Sequence, residues 1–176
     1  MFFNSIAFLL FLPTVFIIYW FLLKRNLKAQ NILLLIASYF FYGWWDYRFL
    51  ILIALSTVID YVVGLKLQDE TVDKKRKYLL ALSLIFNLGM LGFFKYYNFF
   101  IDSWLDSWAI LGIKMHASTM QIILPVGISF YTFQTLSYTI DVYRKKLIPT
   151  KNFINFATFV AFFPQLVAGP IERATN

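Results

Sequence analysis

Six long apolar runs, joined by short charged connections, dominate this sequence. A membrane-spanning helix needs about 20 mostly apolar residues, and each run is close to that length. The composition agrees, because 60% of the 176 residues are hydrophobic and only 14% are charged, against about 45–50% and about 25% in soluble domains. We therefore expect an all-α fold, a polytopic membrane helix bundle. The six predicted membrane segments are Phe2–Leu23, Ala29–Trp45, Phe49–Leu65, Tyr78–Phe94, Met120–Ile140 and Asn152–Ile171.

The basic residues alternate between the connections. Twelve of the 16 Lys and Arg residues lie in the first, third and fifth connections. Cytoplasmic connections of membrane proteins are enriched in Lys and Arg, so the pattern predicts a multi-pass chain with its N-terminus outside. The net charge of +7 is then explained by topology and by attraction to anionic lipid. Membrane lipid is thus an expected partner, and nucleic acid is not.

Between Asn98 and Leu111 the pattern changes to that of an amphipathic helix. Trp104 and Trp108 are one turn apart on an apolar face, while Asp102 and Asp106 are one turn apart on the opposite face. A helix of this kind typically lies in the plane of the membrane surface. We therefore expect one interfacial helix in addition to the six membrane segments.

Two single residues, Asp60 and His116, are candidates for a site of chemistry. Asp60 is the only carboxylate within a predicted segment, where a charge costs about 2.5–3.5 kcal/mol. It is either an ion or proton site, or a carboxylate that hydrogen-bonds to a neighbouring helix or reaches the cytoplasmic boundary beside Tyr61 and Lys66. The second interpretation is favoured, because an isolated carboxylate without an ionisable partner in the membrane makes a poor relay. His116, the only histidine, has no nucleophile or orienting carboxylate near it, which favours a solvated loop residue over a catalytic one.

No catalytic residue is therefore predicted in this chain. No cysteine is present, so disulfides and thiolate metal sites are excluded. We predict no metal and no bound cofactor.

The fifth segment is unusually polar. Ser129, Thr132, Gln134, Thr135 and Ser137 place hydroxyl and amide groups on most of its faces. Such groups either hydrogen-bond between packed helices or line a polar channel. The sequence leaves both interpretations open.

Prolines interrupt the last segment twice, at Pro164-Gln165 and at Gly169-Pro170. Irregular backbone at membrane depth is tolerated only where protein buries it or where it lines a cavity. We favour a bent or re-entrant segment next to a cavity, with the charged pair Glu172-Arg173 directly after it, over an ordinary helix end. The residues predicted to line the polar part of that cavity are Gln134, Gln165 and Arg173.

The polar fifth segment and the broken last segment carry a resemblance to a known family. LPVGISFYTFQ from Leu124 to Gln134, SYTIDVYR from Ser137 to Arg144, and FFPQLVAGPIER from Phe162 to Arg173 closely resemble motifs of the membrane-bound O-acyltransferase (MBOAT) family. The similarity is to its bacterial branch of alginate O-acetylation and D-alanyl teichoic acid transfer. SYFFYGWW from Ser38 to Trp45 and GFFKYYNF from Gly92 to Phe99 fit as well, so the resemblance covers the whole chain.

The resemblance implies transfer of an acetyl or similar acyl group to hydroxyls of an exported or cell-surface polysaccharide. The resemblance does not distinguish between the two kinds of acyl donor, acyl-CoA and an acyl carrier. It also implies a bacterial inner membrane location and periplasmic or surface acyltransferase partner proteins. Family members are more than twice as long as this chain, and their catalytic histidine lies in the second half, at a position that His116 does not match. We therefore expect residues 1–176 to be a single transmembrane region, the N-terminal part of a longer MBOAT domain, and to be inactive alone.

Two other functions remain as alternatives. A secondary transporter or flippase shows broken helices and charged residues at the midplane, usually in repeated halves, whereas this chain has no repeat. A non-catalytic membrane scaffold would use the helix from Asn98 to Leu111 to bind a partner.

Overall fold

The computed structural model of the chain describes residues 5–110, 124–125 and 127–168. These residues form helices and connections without any strand, which confirms the predicted all-α fold for this part of the chain. A π-helical turn, Ile18–Leu22, follows the first helix, and a 3-10 turn, Tyr47–Phe49, joins the second to the third. The α-helices are α1 (Ile6–Ile17), α2 (Leu27–Asp46), α3 (Leu50–Asp69), α4 (Asp73–Ile110), α5 (Ile128–Tyr143), α6 (Phe153–Ala161) and α7 (Phe163–Ala168).

Polar side chains begin three of these helices. The first turn of a helix has backbone N–H groups without a partner inside the helix, and an Asn or Ser oxygen just before it accepts from them. Ser5 Oγ accepts from Phe8 N at 3.2 Å at the start of α1. Asn26 Oδ1 accepts from Ala29 N at the start of α2, and Asn152 Oδ1 accepts from two N–H groups of α6.

Helices α3 and α5 form the centre of the described bundle. Their mutual contact is the most extensive, and α4 packs against both of them. Helix α6 packs mainly on α2, and also on α3 and α5. The apolar core between these helices includes Ile53, Leu67, Tyr131, Phe156 and Val160, each at most 2% exposed.

Polar residues lie inside this bundle and apolar residues lie outside. Eight fully buried positions carry a polar side chain, whereas Ile6, Phe21 and Ile85 are each more than 70% exposed. In a protein surrounded by water, large exposed apolar surfaces are rare. Hydrogen-bonding side chains between helices and apolar side chains outside are instead the arrangement expected in lipid. The buried polar residues are Ser56, Thr57, Asp60, Ser83, Asn87, Thr132, Thr135 and Thr139.

Two continuous helical stretches are long and apolar enough to cross a membrane. They are Leu27–Asp69, which contains α2 and α3, and Asp73–Ile110. The apolar stretches Ile6–Leu22 and Phe153–Leu166 are shorter. The predicted count of about six membrane segments therefore stays a prediction.

The prediction of a separate interfacial helix is wrong within the described residues. Helix α4 has 38 residues and continues without interruption from the fourth predicted segment to Ile110. Neither proline nor glycine occurs between Phe94 and Ile110, so nothing in the chain ends the helix where its pattern changes from apolar to amphipathic. At about 1.5 Å per residue α4 is about 57 Å long, well beyond the roughly 30 Å of a hydrocarbon core.

The fifth predicted segment also differs from the structure. Helix α5 begins at Ile128, directly after Gly127, whose φ is 78°. A left-handed residue cannot continue a right-handed helix. The helix then runs three residues further than predicted, to Tyr143.

A buried arginine joins the ends of three helices. Arg76, near the start of α4, is 5% exposed. Its guanidinium donates to the carbonyl oxygens of Leu67 and Glu70 at the end of α3, and to Tyr143 O at the end of α5 at 2.7 Å. Carbonyls at a helix C-terminus have no partner within the helix and carry partial negative charge, so this cation stabilises both ends at once.

Candidate functional site

Asp60 lies at the meeting point of α3, α4 and α5 and is fully buried. Ser83 Oγ donates to its Oδ1 at 2.5 Å, and Asn87 Nδ2 donates to its Oδ2 at 2.8 Å. Thr139 Oγ1 of α5 lies 3.4 Å from Oδ1. Ser56, one turn before Asp60, donates to Asn87 Oδ1 at 2.7 Å. We call these five residues the carboxylate junction.

The junction follows from helical spacing. Ser56 and Asp60 are four residues apart on α3, and Ser83 and Asn87 are four residues apart on α4. Residues four apart lie on the same face of a helix, so each pair forms one polar patch facing the other helix.

These contacts confirm the interpretation of Asp60 as a carboxylate hydrogen-bonded to neighbouring helices. Within the described residues its partners are neutral hydroxyl and amide groups, and it forms no ion pair there. A buried carboxylate is costly unless hydrogen bonds replace its lost hydration. The junction supplies such bonds, and its first effect is to hold three helices together.

A second polar arrangement surrounds the break between α6 and α7. Phe162 separates the two helices, with φ −57° and ψ 108°. Ser38 of α2, 1% exposed, accepts a hydrogen bond from Phe163 N at 3.2 Å. Gln134 of α5, also 1% exposed, donates from Nε2 to Phe159 O at 2.8 Å. We call Ser38, Gln134 and these two backbone groups the break junction.

Gly127 brings the start of α5 against α7. A Cβ atom at this position would lie 2.8 Å from Leu166 O, which is a backbone atom, and 3.5 Å from the hydroxyl of Tyr42. The left-handed backbone at φ 78° also disfavours any residue other than glycine. The close approach therefore depends on glycine, and it connects the LPVGISFYTFQ and FFPQL motifs in space.

An apolar cavity of about 260 Å³ lies beside the break. Phe162, Phe163 and Pro164 line one side of it, and residues of α1 with Leu34 line the other. Neither Gln134 nor Gln165 lines this cavity.

The predicted lining residues therefore have different positions. Gln134 is buried and bound to the backbone of α6. Gln165 is half-buried in α7, three residues beyond the break. Arg173 lies outside the described residues, as do His116, Glu172 and the second proline break at Gly169-Pro170. A channel-lining role for Gln134, Gln165 and Arg173 stays a prediction.

The contacts of α5 support the interpretation of the polar fifth segment as one that joins packed helices, while the channel interpretation stays a prediction. Gln134 and Thr139 hydrogen-bond to other helices, as residues that join helices do. The hydroxyls of Tyr131, Thr132 and Tyr138, by contrast, are buried and have no hydrogen-bond partner within the part of the chain described here.

Four functional candidates are not predicted from the sequence: Ser38, Ser56, Ser83 and Asn87. The last two carry a usable signal, since polar residues four apart in the otherwise apolar Tyr78–Phe94 run predict one polar face. Ser38 carries none, because it is a single small residue in an apolar helix. Within the described ranges no three His, Cys, Asp or Glu side chains are grouped to hold a metal ion.

The fold and these two junctions define a class: a helical membrane protein with polar contacts between its helices. Its helices include two stretches long enough to cross a bilayer, with polar groups inside and apolar groups outside. Comparison with known proteins shows which members of this class the chain is similar to.

The chain is 45% identical over 175 residues to a probable alginate O-acetylase, AlgI, of Pseudomonas aeruginosa, which covers 98% of the chain and 33% of that protein. A protein of the same name from Azotobacter vinelandii is 43% identical, with 98% of the chain and 34% of the relative covered. The peptidoglycan O-acetyltransferase of Helicobacter pylori is 35% identical over 196 aligned positions, with 96% and 36% covered.

The resemblance predicted from the motifs is confirmed: the chain is a relative of bacterial O-acetyltransferases over nearly its whole length. It spans about a third of the length of the curated relatives it matches. No family model matches it. No solved structure matches it either.

Proposed function

We propose that residues 1–176 are the N-terminal part of a membrane-embedded O-acyltransferase of the MBOAT family. This enzyme moves an acetyl or similar acyl group to hydroxyls of an exported or cell-surface polysaccharide. The observation that carries the proposal is 45% identity, over 98% of the chain, to a probable alginate O-acetylase. A peptidoglycan O-acetyltransferase at 35% identity supports the same reaction on a second kind of polymer.

The described residues contribute structure rather than the catalytic group. The catalytic histidine belongs to a part of the protein beyond this chain. The polar fifth segment and the break between α6 and α7 form part of the wall of the reaction cavity, with Gln134, Gln165 and Arg173 in its polar lining. The break junction supports this role, since its side chains hold the irregular backbone between α6 and α7 in place.

The protein spans the bacterial inner membrane several times, with its N-terminus outside. The alternation of basic connections supports this orientation. Its partners are membrane lipid, the acceptor polysaccharide and periplasmic or surface acyltransferase proteins. The acyl donor, acyl-CoA or an acyl carrier, is a substrate rather than a resident cofactor.

Transfer of label tests the proposal directly. The full natural protein and residues 1–176 alone are expressed in bacteria that make the acceptor polymer but lack their own O-acetylation, and the cells receive radiolabelled acetate. We expect labelled acetyl ester on the purified polymer with the full protein and background label with residues 1–176. Unlabelled polymer with the full protein, together with uptake of labelled sugar into membrane vesicles, would favour a transporter instead.

A further inference from the structure

The break between α6 and α7 opens one particular backbone hydrogen bond. In a continuous α-helix, Phe163 N would donate to Phe159 O, four residues earlier. In this structure each group has a side-chain partner instead. Phe163 N donates to Ser38 Oγ at 3.2 Å, and Phe159 O accepts from Gln134 Nε2 at 2.8 Å.

Pro164 alone does not explain this arrangement. Proline lacks an N–H, so Pro164 removes the bond from position 164 to Val160 O and disfavours the helical conformation of the preceding residue. Phe163 keeps its own N–H. Ser38 of α2 accepts from the N–H group of Phe163, and Gln134 of α5 donates to the carbonyl of Phe159. The two backbone groups therefore do not bond to each other.

We propose that Ser38 and Gln134 are positioning residues that hold this one helical hydrogen bond open and thereby set the angle of α7 relative to α6. This inference rests on the proposed acyl transfer, since α7 carries Gln165 into the predicted cavity wall. Both residues act through the backbone of the broken segment, to which each is hydrogen-bonded.

The two side chains have different chemistry because the two backbone groups do. An N–H needs an acceptor, which the Ser38 hydroxyl supplies, and a carbonyl needs a donor, which the Gln134 amide supplies. Removing one side chain leaves one buried backbone group without a partner. Removing both leaves a donor and an acceptor that can bond to each other, as they do in an ordinary helix. The effects of the two substitutions are therefore not additive.

Spin-label distances test this geometry. The chain has no cysteine, so Ile148→Cys before α6 and Ala168→Cys in α7 give one labelled pair in the full natural protein, with any cysteine beyond residue 176 replaced by serine. We expect one narrow distance for the parent protein. The double variant Ser38→Ala/Gln134→Ala should shift to a different distance, as the angle between α6 and α7 changes to that of a helix kinked by Pro164 alone. An unchanged distance in the double variant overturns the proposal.

A double-mutant cycle gives the second readout. Each single variant should shift the unfolding equilibrium by about 5- to 150-fold, the effect of one buried backbone group left without a partner, and the double variant should be more stable than the sum of the two predicts. Ser137→Ala is the matched control, since Ser137 Oγ donates at 2.9 Å to Gln134 O within its own helix. Strict additivity of Ser38→Ala and Gln134→Ala overturns the proposal.

Acyl transfer by the unlabelled variants separates positioning from stability. We expect kcat to fall about 10- to 100-fold, as small misplacements near a reaction do, with a smaller change in KM. The double variant should recover part of the stability lost in the single variants, but its kcat should stay low. Ser38→Thr keeps the hydroxyl and should retain both the stability and the kcat of the parent protein. Full activity in a double variant with a changed distance overturns the positioning role. A parent protein without transferase activity would refute the proposed function, while the distances would still decide whether the two side chains hold the bond open.

Discussion

The carboxylate junction and the break junction contain similar side chains, which bind different kinds of partner. In the carboxylate junction, side chains of α3, α4 and α5 bind other side chains, and all three helices stay regular around Asp60. In the break junction, Ser38 and Gln134 bind backbone groups of a helix that is interrupted. The first junction fixes how helices pack, and the second fixes the path of one segment.

The difference sets how each region responds to change. The carboxylate accepts from Ser83, Asn87 and Thr139 at once, so its removal takes an acceptor from three buried donors, of which Asn87 keeps its bond to Ser83 O. Each side chain of the break junction serves one backbone group, so its removal leaves one group without a partner. Because an unsatisfied buried polar group costs about 1–3 kcal/mol, the carboxylate is the more sensitive of the two hydrogen-bonding centres. The close approach of Gly127 to α7 adds a steric constraint that only the break region has.

The largest effect is expected from Gly127→Ala, which places a Cβ atom against the backbone of α7. We expect a loss of about 2–5 kcal/mol of unfolding free energy, from left-handed backbone and overpacking. The added atom would lie 2.8 Å from Leu166 O, and a backbone oxygen cannot rotate away as a side chain can. Denaturation in mixed micelles, followed by circular dichroism, measures this loss.

Gly89→Ala is the control for that substitution. A Cβ atom at Gly89 would meet nothing within 4 Å, and alanine favours a helix interior over glycine by about 1 kcal/mol. We therefore expect unchanged or slightly higher stability. Equal losses at Gly127 and Gly89 would mean that the contact with α7 does not constrain the fold.

Asp60→Ala should be the next largest, with a loss of about 2–3 kcal/mol from donors left unsatisfied. Asp60→Asn should lose less, because its amide oxygen still accepts from Ser83, although its NH₂ group faces the amide of Asn87. The same denaturation experiment compares the two. A gain in stability for Asp60→Ala would show that the cost of burying the charge exceeds the value of its hydrogen bonds, and the ranking of the two junctions would be reversed.

Much of the carboxylate junction could be predicted from the sequence, and little of the break junction could. A single carboxylate in an apolar run has to find partners, and polar pairs four residues apart on α3 and α4 provide them. The break itself was predicted from Pro164 and is confirmed, at Phe162. Its partners were not, because Ser38 and Phe163 are 125 residues apart in sequence, and no periodicity indicates which helices become neighbours.

The length of α4 shows a different limit to what the sequence can predict. The change from an apolar to an amphipathic pattern near Asn98 was interpreted as the start of a new helix. Hydrophobic pattern reports what surrounds a helix, whereas proline and glycine interrupt it. Neither occurs from Lys95 to Ile110, and α4 continues there.

The ion pair of half-buried Glu70 and exposed Lys75, at the turn between α3 and α4, gives the smallest expected effect and a baseline for both junctions. Glu70 accepts a hydrogen bond from Val72 N at 3.0 Å and lies 3.6 Å from the ammonium of Lys75, with Lys66 and Asp69 nearby. The bond from Val72 is the largest cause that holds the pKa of Glu70 below its usual range. Desolvation, the next largest, opposes it, and the charge of Lys75 lowers the pKa by a smaller amount.

Titration of Glu70 tests which contact dominates. A folded-state pKa below the unfolded value stabilises the fold above the unfolded pKa, and this contribution is lost as pH falls through the folded pKa. We expect Lys75→Gln to raise the Glu70 pKa only part of the way, since the Val72 bond remains, and Lys74→Gln to leave it unchanged, with carboxyl NMR shifts as the measurement. Full return to the usual glutamate range in Lys75→Gln would mean that the ion pair, not the backbone bond, sets the pKa. Because water competes for every contact of this pair, its substitutions should leave the thermal stability nearly unchanged, whereas those at Asp60 and Gly127 should not.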